Sequence, residues 1–381
     1  MEFQFSDEQQ ALAEKVRGFV ADQVAPAARE HDRTGRFPPS MVGELARAGL
    51  FGLGIGHEHG GSGQGAVAVG IAIEELAKVD LTASLLVLNA ALIGGIIERT
   101  GTERQRADWL PPIAAGEAVV ALCLTEPDHG TDAAAIELRA DADGSRWLLN
   151  GTKTSIMLGA FATHGLVFAR TGGPGASGIT AFYTRLQRPE VHREPLQDLG
   201  LRAGGRATLR FAVCPVWPGD IVGSLGTGFA GVMRGFDYSR ALIALMAVAA
   251  AGVSLEEAME YARRRITFGV PLGRHQGVAF PLVEHATRVR AARLLAYEAL
   301  WRKDMGLDHR TEANMAKWWA PRVGVDAIQQ ALLTLGHRGW STAEPIERRL
   351  RDAIGLQIAD GTENATKLAV ARRLLGREYA P

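Results

Sequence analysis

The chain opens on a helix-like pattern. Ser6 and Gln9 are spaced as a capping box, and Leu12, Val16, Phe19 and Val20 fall on one helical face. The spacing predicts a first helix that starts near residue 6 and ends at Pro26. Further helical segments are expected from Pro39 to Ala48, Ala66 to Val79 and Leu81 to Arg99, with Gly-rich connections between them. From Ala118 the pattern shortens. Val119 to Leu122, Arg146 to Leu149, Gly165 to Ala169, Ile179 to Tyr183 and Thr208 to Val213 are apolar or alternating runs bounded by Asp-Gly, Asn-Gly, Gly-Gly-Pro-Gly and Pro-Gly turns. That is the pattern of a compact antiparallel β domain. Strand signals stop at Val222, and from Gly228 the helical period returns: one long helix through Arg265, another from about Gly277 to Lys303, a third from about Thr311 to Leu335, and two more around residues 345–351 and after Glu363. The expected class is α+β, with a helical unit at 1–117, a β unit at 118–225 and a helical unit at 226–381. There is no internal repeat and no low-complexity segment.

Composition adds limits. A chain of 381 residues, 47% hydrophobic and 22% charged, is long enough for two or three cores. Lys plus Arg equals Asp plus Glu at 42 each, so no net positive charge marks a nucleic-acid partner, and no charge run suggests a membrane surface. The N-terminus, Met1 to Glu8, lacks the basic and apolar blocks of a signal peptide. The longest strongly apolar run, Ala241 to Ser254, is shorter than the roughly 20 residues of a membrane span and suits a buried helix, so no membrane insertion is expected. Cys123 and Cys214 are not a CxxC pair, and the expected setting is reduced and cytoplasmic, without structural disulfides. The Gly-rich stretch from Gly52 to Gly63 carries His57-Glu58-His59, but it has no GxGxxG spacing and no third ligand nearby, so neither a dinucleotide fingerprint nor a metal site is expected there.

Two stretches carry chemistry. Arg351 to Asn364 joins two helical segments and places Asp360 directly before Gly361-Thr362. A carboxylate held by flanking helices on a Gly turn has a fixed position and an open face, as a general base requires, although Asp-Gly is also a common plain turn. Leu122 to Asp132 runs from a strand into a turn rich in hydroxyls and backbone donors. Such a turn can bond the polar edge of a planar ring while Leu122 and Leu124 cover its face; an ordinary loop has the same appearance.

These segments, with Asn150-Gly151-Thr152-Lys153, the Arg265 to Gly269 box followed by His275-Gln276, the segment Leu335 to Trp340 and Arg351-Asp352-Ala353, resemble the acyl-CoA dehydrogenase family over the whole chain and in the right order. The Gly60 to Gly63 loop, Glu74 to Ala77 and Gly101-Thr102-Glu103 belong to the same resemblance. What it implies is an N-terminal α domain, a middle β domain and a C-terminal four-helix bundle, with FAD between the last two and its adenosine half crossing to a neighbouring subunit. A homo-oligomer, usually a tetramer, is implied with it. By the same resemblance Thr125, Gly130 and Thr131 meet the flavin edge beside Leu122 and Leu124, and Ser155 and Met157 stand near the ring. Arg265, Phe268 and Gln276 serve the partner subunit's FAD, Leu333 and Gly336 lie by its pyrophosphate, and Thr362 and Asn364 lie beside the cofactor. Tyr238, Ser239, Arg240 and Gly361 line the thioester pocket, and Asp360 takes a proton next to the thioester carbonyl while hydride passes to flavin N5.

Several positions depart from the family pattern. Asp360 stands where most members have Glu, and Ser239 stands where another branch carries its Glu. The usual Trp-Ile-Thr is Ser155-Ile156-Met157, the usual Gln is Leu333, and the second Gly of the Gly-Gly loop is His337. The expected activity is dehydrogenation of an acyl thioester of coenzyme A or a carrier protein, with a version displaced to the γ,δ carbons of a 2-enoyl substrate. Electron-transfer flavoprotein is the implied acceptor. A nitroalkane-oxidase-like or oxygen-using flavoenzyme and a non-catalytic interaction subunit are the alternatives.

Overall fold

The computed structural model describes residues 4–36 and 39–381, and Met1 to Phe3, where the reading of the N-terminus begins, lie outside the described residues. Helix α1 (Asp7–Phe19) starts at the expected capping box, with the Gln9 N–H donating to the Ser6 hydroxyl at 3.3 Å. It does not stop at Pro26. A π-helical turn (Val20–Val24) carries the chain into α2 (Ala25–Thr34), whose first turn contains Pro26, where a missing N–H costs nothing. Helices α3 (Pro39–Arg47), α4 (Ala66–Ala77) and α5 (Leu81–Thr100) lie where the periodicity put them. Helix α6 (Glu103–Ala114) is additional. Its Thr102/Gln105 capping box is a start signal, but Pro111-Pro112 in its last turn disguises it.

The middle of the chain forms β1 (Val120–Cys123), β2 (Arg139–Asp143), β3 (Arg146–Ile156), β4 (His164–Arg170), β5 (Ile179–Arg185), β6 (Val191–Pro195), β7 (Ala207–Val216) and β8 (Ile221–Val222). They pair in the order β6-β7-β3-β2-β4-β5-β8, with β1 beside β4. The sheet is mixed, which corrects the antiparallel expectation: β1 runs parallel to β4, pairing Val120 with His164 through Cys123 with Val167, and β2 also meets β4 in parallel. Strand propensity does not report direction. Strands β2 and β6 were not anticipated because Arg139–Asp143 is almost entirely polar or small and Val191–Pro195 ends on a proline.

The last part holds α7 (Gly228–Arg264), a two-stranded hairpin of β9 (Ile266–Thr267) and β10 (Val270–Pro271), then α8 (Gln276–Asp304), α9 (Arg310–Leu335), α10 (Ile346–Leu356) and α11 (Glu363–Leu374). Helix α7 packs along α9 and α8, and α10 and α11 pack on α9. Within α5 and α7 lie stretches long and apolar enough to cross a membrane by length and composition, longer than the run read from the sequence, yet 89% and 72% of those stretches are buried inside the protein. Their apolar surface is consumed by packing.

One joint ties all three layers together. Arg351 on α10 pairs with Asp32 on α2 through both terminal nitrogens, at 3.0 and 2.6 Å, and donates to the Leu199 carbonyl at 3.0 Å. Next to it, the buried Asp352 accepts the Leu201 N–H at 2.5 Å. Gly200 lies flat against α10: a Cβ there would sit 2.4 Å from the Arg351 carbonyl carbon. Burial pushes the Asp352 carboxyl up to about 7, with the Leu201 N–H opposing, Asp80 adding, Arg348 opposing and Asp32 adding. Between about pH 4 and pH 7 the folded protein therefore holds a proton that the unfolded chain releases, so this group makes stability fall as pH rises through that window. Asp352→Asn, which keeps an oxygen for Leu201 but cannot titrate, is expected to be more stable than the parent at pH 8 by on the order of 2 kcal/mol, with the gap closing below about pH 4. Urea unfolding of both proteins at pH 4, 6 and 8 measures this, and a gap independent of pH would refute it.

Candidate functional site

The turn between α10 and α11 is built by conformation first. Asp360 and Gly361 both have left-handed backbones, φ +52° and +111°, and the next residue, Thr362, caps α11 by accepting the Ala365 N–H at 3.4 Å. Aspartate tolerates this region better than most side chains, and glycine does so freely. Three groups from the bundle then fix the turn. The Ser239 hydroxyl of α7 donates to an Asp360 carboxylate oxygen. The next residue of α7, Arg240, donates from Nε to the Asp360 carbonyl at 3.0 Å, and Lys317 of α9 donates from Nζ to the Gly361 carbonyl at 2.9 Å. Arg240 lies 3.5 Å from Asp237, which also pairs with Arg310 at 3.1 Å.

Asp360 is thus less open than the sequence suggested. It keeps part of its surface accessible, but its carboxylate is already bonded to Ser239 in dense surroundings. Burial raises its pKa, against the Ser239 hydroxyl and the charges of Arg240 and Lys317. Burial likewise draws the Lys317 ammonium down to about 8, with Asp360 pulling it back up and Arg240 adding to the fall. The sequence reading missed Lys317; the signal was a lysine on the helix face shared by Ala313, Ala316 and Ala320. Ser239, Arg240 and Gly361 are brought to Asp360, but Tyr238 is not: consecutive helix positions point about 100° apart. Its buried ring lies under the Lys303 ammonium at 4.6 Å.

On the sheet side, β1 delivers partly buried Leu122 and buried Leu124. The loop after them is anchored by a buried ion pair that the sequence reading also missed. Lys153 of β3 donates to Glu126 at 2.7 Å and to the Leu124 carbonyl at 2.9 Å, while Glu126 accepts the N–H groups of Glu137 and Leu138 at 2.6 and 2.9 Å. The Thr154 N–H holds the Thr125 carbonyl at 2.9 Å. Beyond this anchor Gly130 and Thr131 are exposed and Thr125 is partly so. Two hydroxyls and free backbone above an apolar pair are a donor set that suits the polar edge of a flavin ring.

Ser155 and Met157 adjoin that loop. Ser155 sits in a register shift between β3 and β7 with φ +57° and is exposed, and its hydroxyl accepts from Arg206 Nη1 at 2.7 Å. Arg206 is itself locked on Asp198 through Nε at 2.9 Å. Where the family has a ring, this chain has a polar relay. The Met157 sulfur presses on Gly204, where a Cβ would stand 2.7 Å from it.

The remaining candidates lie apart. Phe268-Gly269 is the tight turn of the β9–β10 hairpin, both residues at positive φ, and the Phe268 side chain is 90% exposed. Arg263 and Arg264 both pair with Glu260, whereas Arg265 has no ion pair among the described residues and faces solvent with Gln276. That free guanidinium fits a pyrophosphate oxygen pair. Leu333, Gly336 and His337 are exposed at the end of α9, near the same end of α7, where Arg338 stacks over Tyr261 at 5.7 Å. No hydrogen bond or ion pair among the described residues joins this region to the turn at Asp360. Asn364 is exposed on the first turn of α11, and the Thr362 hydroxyl has a structural duty as its cap.

Three family models match the chain in order: acyl-CoA dehydrogenase N-terminal domain over residues 6–117, middle domain over 121–214 and C-terminal domain over 226–375. The chain is 33% identical to the short-chain specific acyl-CoA dehydrogenase of Clostridium acetobutylicum, covering 98% of this chain and 100% of that one. Its fold matches the butyryl-CoA dehydrogenase of Megasphaera elsdenii with a TM-score of 0.96 at 30% identity, over 98% of this chain and 100% of the other. The prolyl acyl carrier protein oxidase AnaB matches with a TM-score of 0.93 at 26% identity, over 97% and 100%. From its first helix to its last, the chain belongs to the acyl-CoA dehydrogenase family of FAD-dependent oxidoreductases acting on CH–CH groups.

Proposed function

We propose that the protein dehydrogenates an acyl thioester, with Asp360 removing a proton from the carbon beside the thioester carbonyl. The observation that carries this reading is the Asp360 carboxylate on a left-handed turn, bonded by Ser239 and set beside Arg240 and Lys317. Its raised pKa makes it a stronger base than an ordinary aspartate, and the bundle holds it in one orientation. FAD supplies the two-electron acceptor when bound. Thr125, Gly130 and Thr131 are the groups suited to its ring edge, and Leu122 and Leu124 to its face. Arg265, Phe268 and Gln276 are exposed, which supports their serving a second copy of the chain. The short-chain and butyryl relatives favour a short acyl chain on coenzyme A; the carrier-protein neighbour makes a phosphopantetheine thioester the other form to test.

Two features favour a displaced version. Aspartate is one methylene shorter than glutamate, and Met157 puts a thioether against the Gly204 turn beside the ring site. A substrate drawn toward the bundle brings its γ carbon to Asp360, and in a 2-enoyl thioester that γ proton is acidified through the double bond. The δ carbon then supplies the hydride.

Asp360→Asn is expected to slow anaerobic flavin bleaching by acyl thioester by roughly 10²- to 10⁴-fold while FAD stays bound. Bleaching at the parent rate would remove Asp360 from the reaction. Because the base works deprotonated and its pKa is raised, kcat/KM is expected to fall on the acid side at a pH above the ordinary aspartate range. Incubation with saturated and 2-enoyl thioesters, followed by location of the new double bond, decides the regiochemistry. A product only at α,β from the saturated substrate excludes the displaced version, and rapid reoxidation by O₂ with peroxide release would point to an oxidase.

A further inference from the structure

Among the described residues the site holds one buried cation, Lys317, whose hydrogen bond goes to backbone alone. Lys317 is 1% exposed on the inner face of α9, and its ammonium reaches neither carboxylate oxygen of Asp360 but the carbonyl of the following residue, at 2.9 Å. Arg240 does the same one peptide earlier, at 3.0 Å. Two successive carbonyls, on two residues at positive φ, are therefore each held by a cation from a different helix of the bundle. Burying an ammonium is costly unless its bonds matter to what it binds.

We propose that Lys317 is a positioning residue for Asp360: by holding the Gly361 carbonyl from α9 while Arg240 holds the Asp360 carbonyl from α7, it locks the left-handed turn that aims the carboxylate. This rests on the assignment of Asp360 as the base. The peptide plane between Asp360 and Gly361, held by Arg240, sets how the Asp360 Cα presents its side chain, and it turns against the next plane, held by Lys317, about the Gly361 Cα. A glycine has no side chain to restrict them, so an outside group has to. Around Gly361 the space is already close, with a virtual Cβ 3.3 Å from the Thr366 methyl and 3.4 Å from Arg240 Nη2, leaving Lys317 as the group that closes the remaining side. Charge follows the same geometry. The charged groups that face Asp360 are Arg240 from α7 and Lys317 from α9, with Ser239 as the neutral donor, while Asp237 and Arg310 face Arg240. Both cations favour the carboxylate form, and losing Lys317 makes Asp360 harder to deprotonate.

The test uses full-length FAD-loaded protein and three variants. Lys317→Met removes both bond and charge. It is expected to slow anaerobic bleaching by ~10- to 100-fold, leave KM for the thioester within about a factor of two of the parent, and move the acid limb of kcat/KM to higher pH. Hydrogen–deuterium exchange over residues 357–363 should quicken while α7 and α9 keep the parent's protection. Lys317→Arg, which keeps the charge and a donor, should leave the acid limb where the parent has it. If the Met variant does not fold, Lys317→Gln, a neutral donor, is expected to move the same limb upward. Parent-like exchange at 357–363 with an unmoved limb in the neutral variants overturns the proposal. Asp360→Asn in the same assay separates the two claims: parent-rate bleaching there removes Asp360 as base, while the exchange result still decides whether Lys317 holds the turn.

Discussion

The role proposed for Asp360 needs a carboxylate that stays reactive without swinging. A base in water is free but weak, and one stripped of water is stronger but must be held by something other than solvent. Here the holding is done on the backbone. Arg240 and Lys317 spend their bonds on the carbonyls of Asp360 and Gly361, so the carboxylate itself is bonded by a neutral hydroxyl. Had either cation paired directly with the carboxylate, the side chain would be equally fixed, but its pKa would be pulled down by a full contact ion pair. Orientation and basicity are separated by placing the charges one bond further away.

The sheet side uses the same device. Lys153, fully buried, holds the Leu124 carbonyl and pairs with Glu126, which in turn takes two N–H groups from the far end of the loop. Both halves of the candidate site are therefore irregular backbone stabilised by a lysine taken out of water, at positions where regular secondary structure cannot supply the partners. What registers the halves against each other is the Arg351–Asp352 joint, which grips Leu199 and Leu201 of the middle unit and Asp32 of the first helices from the same helix that leads to Asp360. Asp352 lies eight residues before Asp360, so the helix that carries the joint also leads directly into the turn.

The helices, their order and the turn at Asp360 were legible because periodicity and caps report local preference. Even the π turn near Pro26 only shifted an end into a continuation. Strand direction was not legible, since β1 and β4 look alike whether they run parallel or antiparallel, and polar β2 pairs between β3 and β4 while most of its side chains stay exposed. Asp360, Ser239 and Arg240 were found as motif positions, but Lys317 and Lys153 were not read as partners. Their roles come from contacts 44 and 29 residues apart in sequence, and no spacing rule links a lysine to a carbonyl at that distance. Tyr238 neighbours Ser239 in sequence, but its ring lies under Lys303 and makes no hydrogen bond to Asp360 among the described residues.

The substitutions around the ring site can be weighed in the same terms. An aromatic ring at position 155 would shield the cofactor by dispersion and exclude water. Ser155 instead completes a chain from Asp198 through Arg206, which brings a guanidinium to within one hydroxyl of that region. Because Arg206 is paired with Asp198, what reaches that region is a polar, charge-balanced relay in place of an apolar ring. Met157 puts a flexible, polarisable thioether against Gly204 in place of a hydroxyl donor. Position 155 is exposed and polar where a ring would be apolar. On the displaced reading proposed above, a substrate seated away from the usual depth would bring a different carbon to the shorter side chain at position 360.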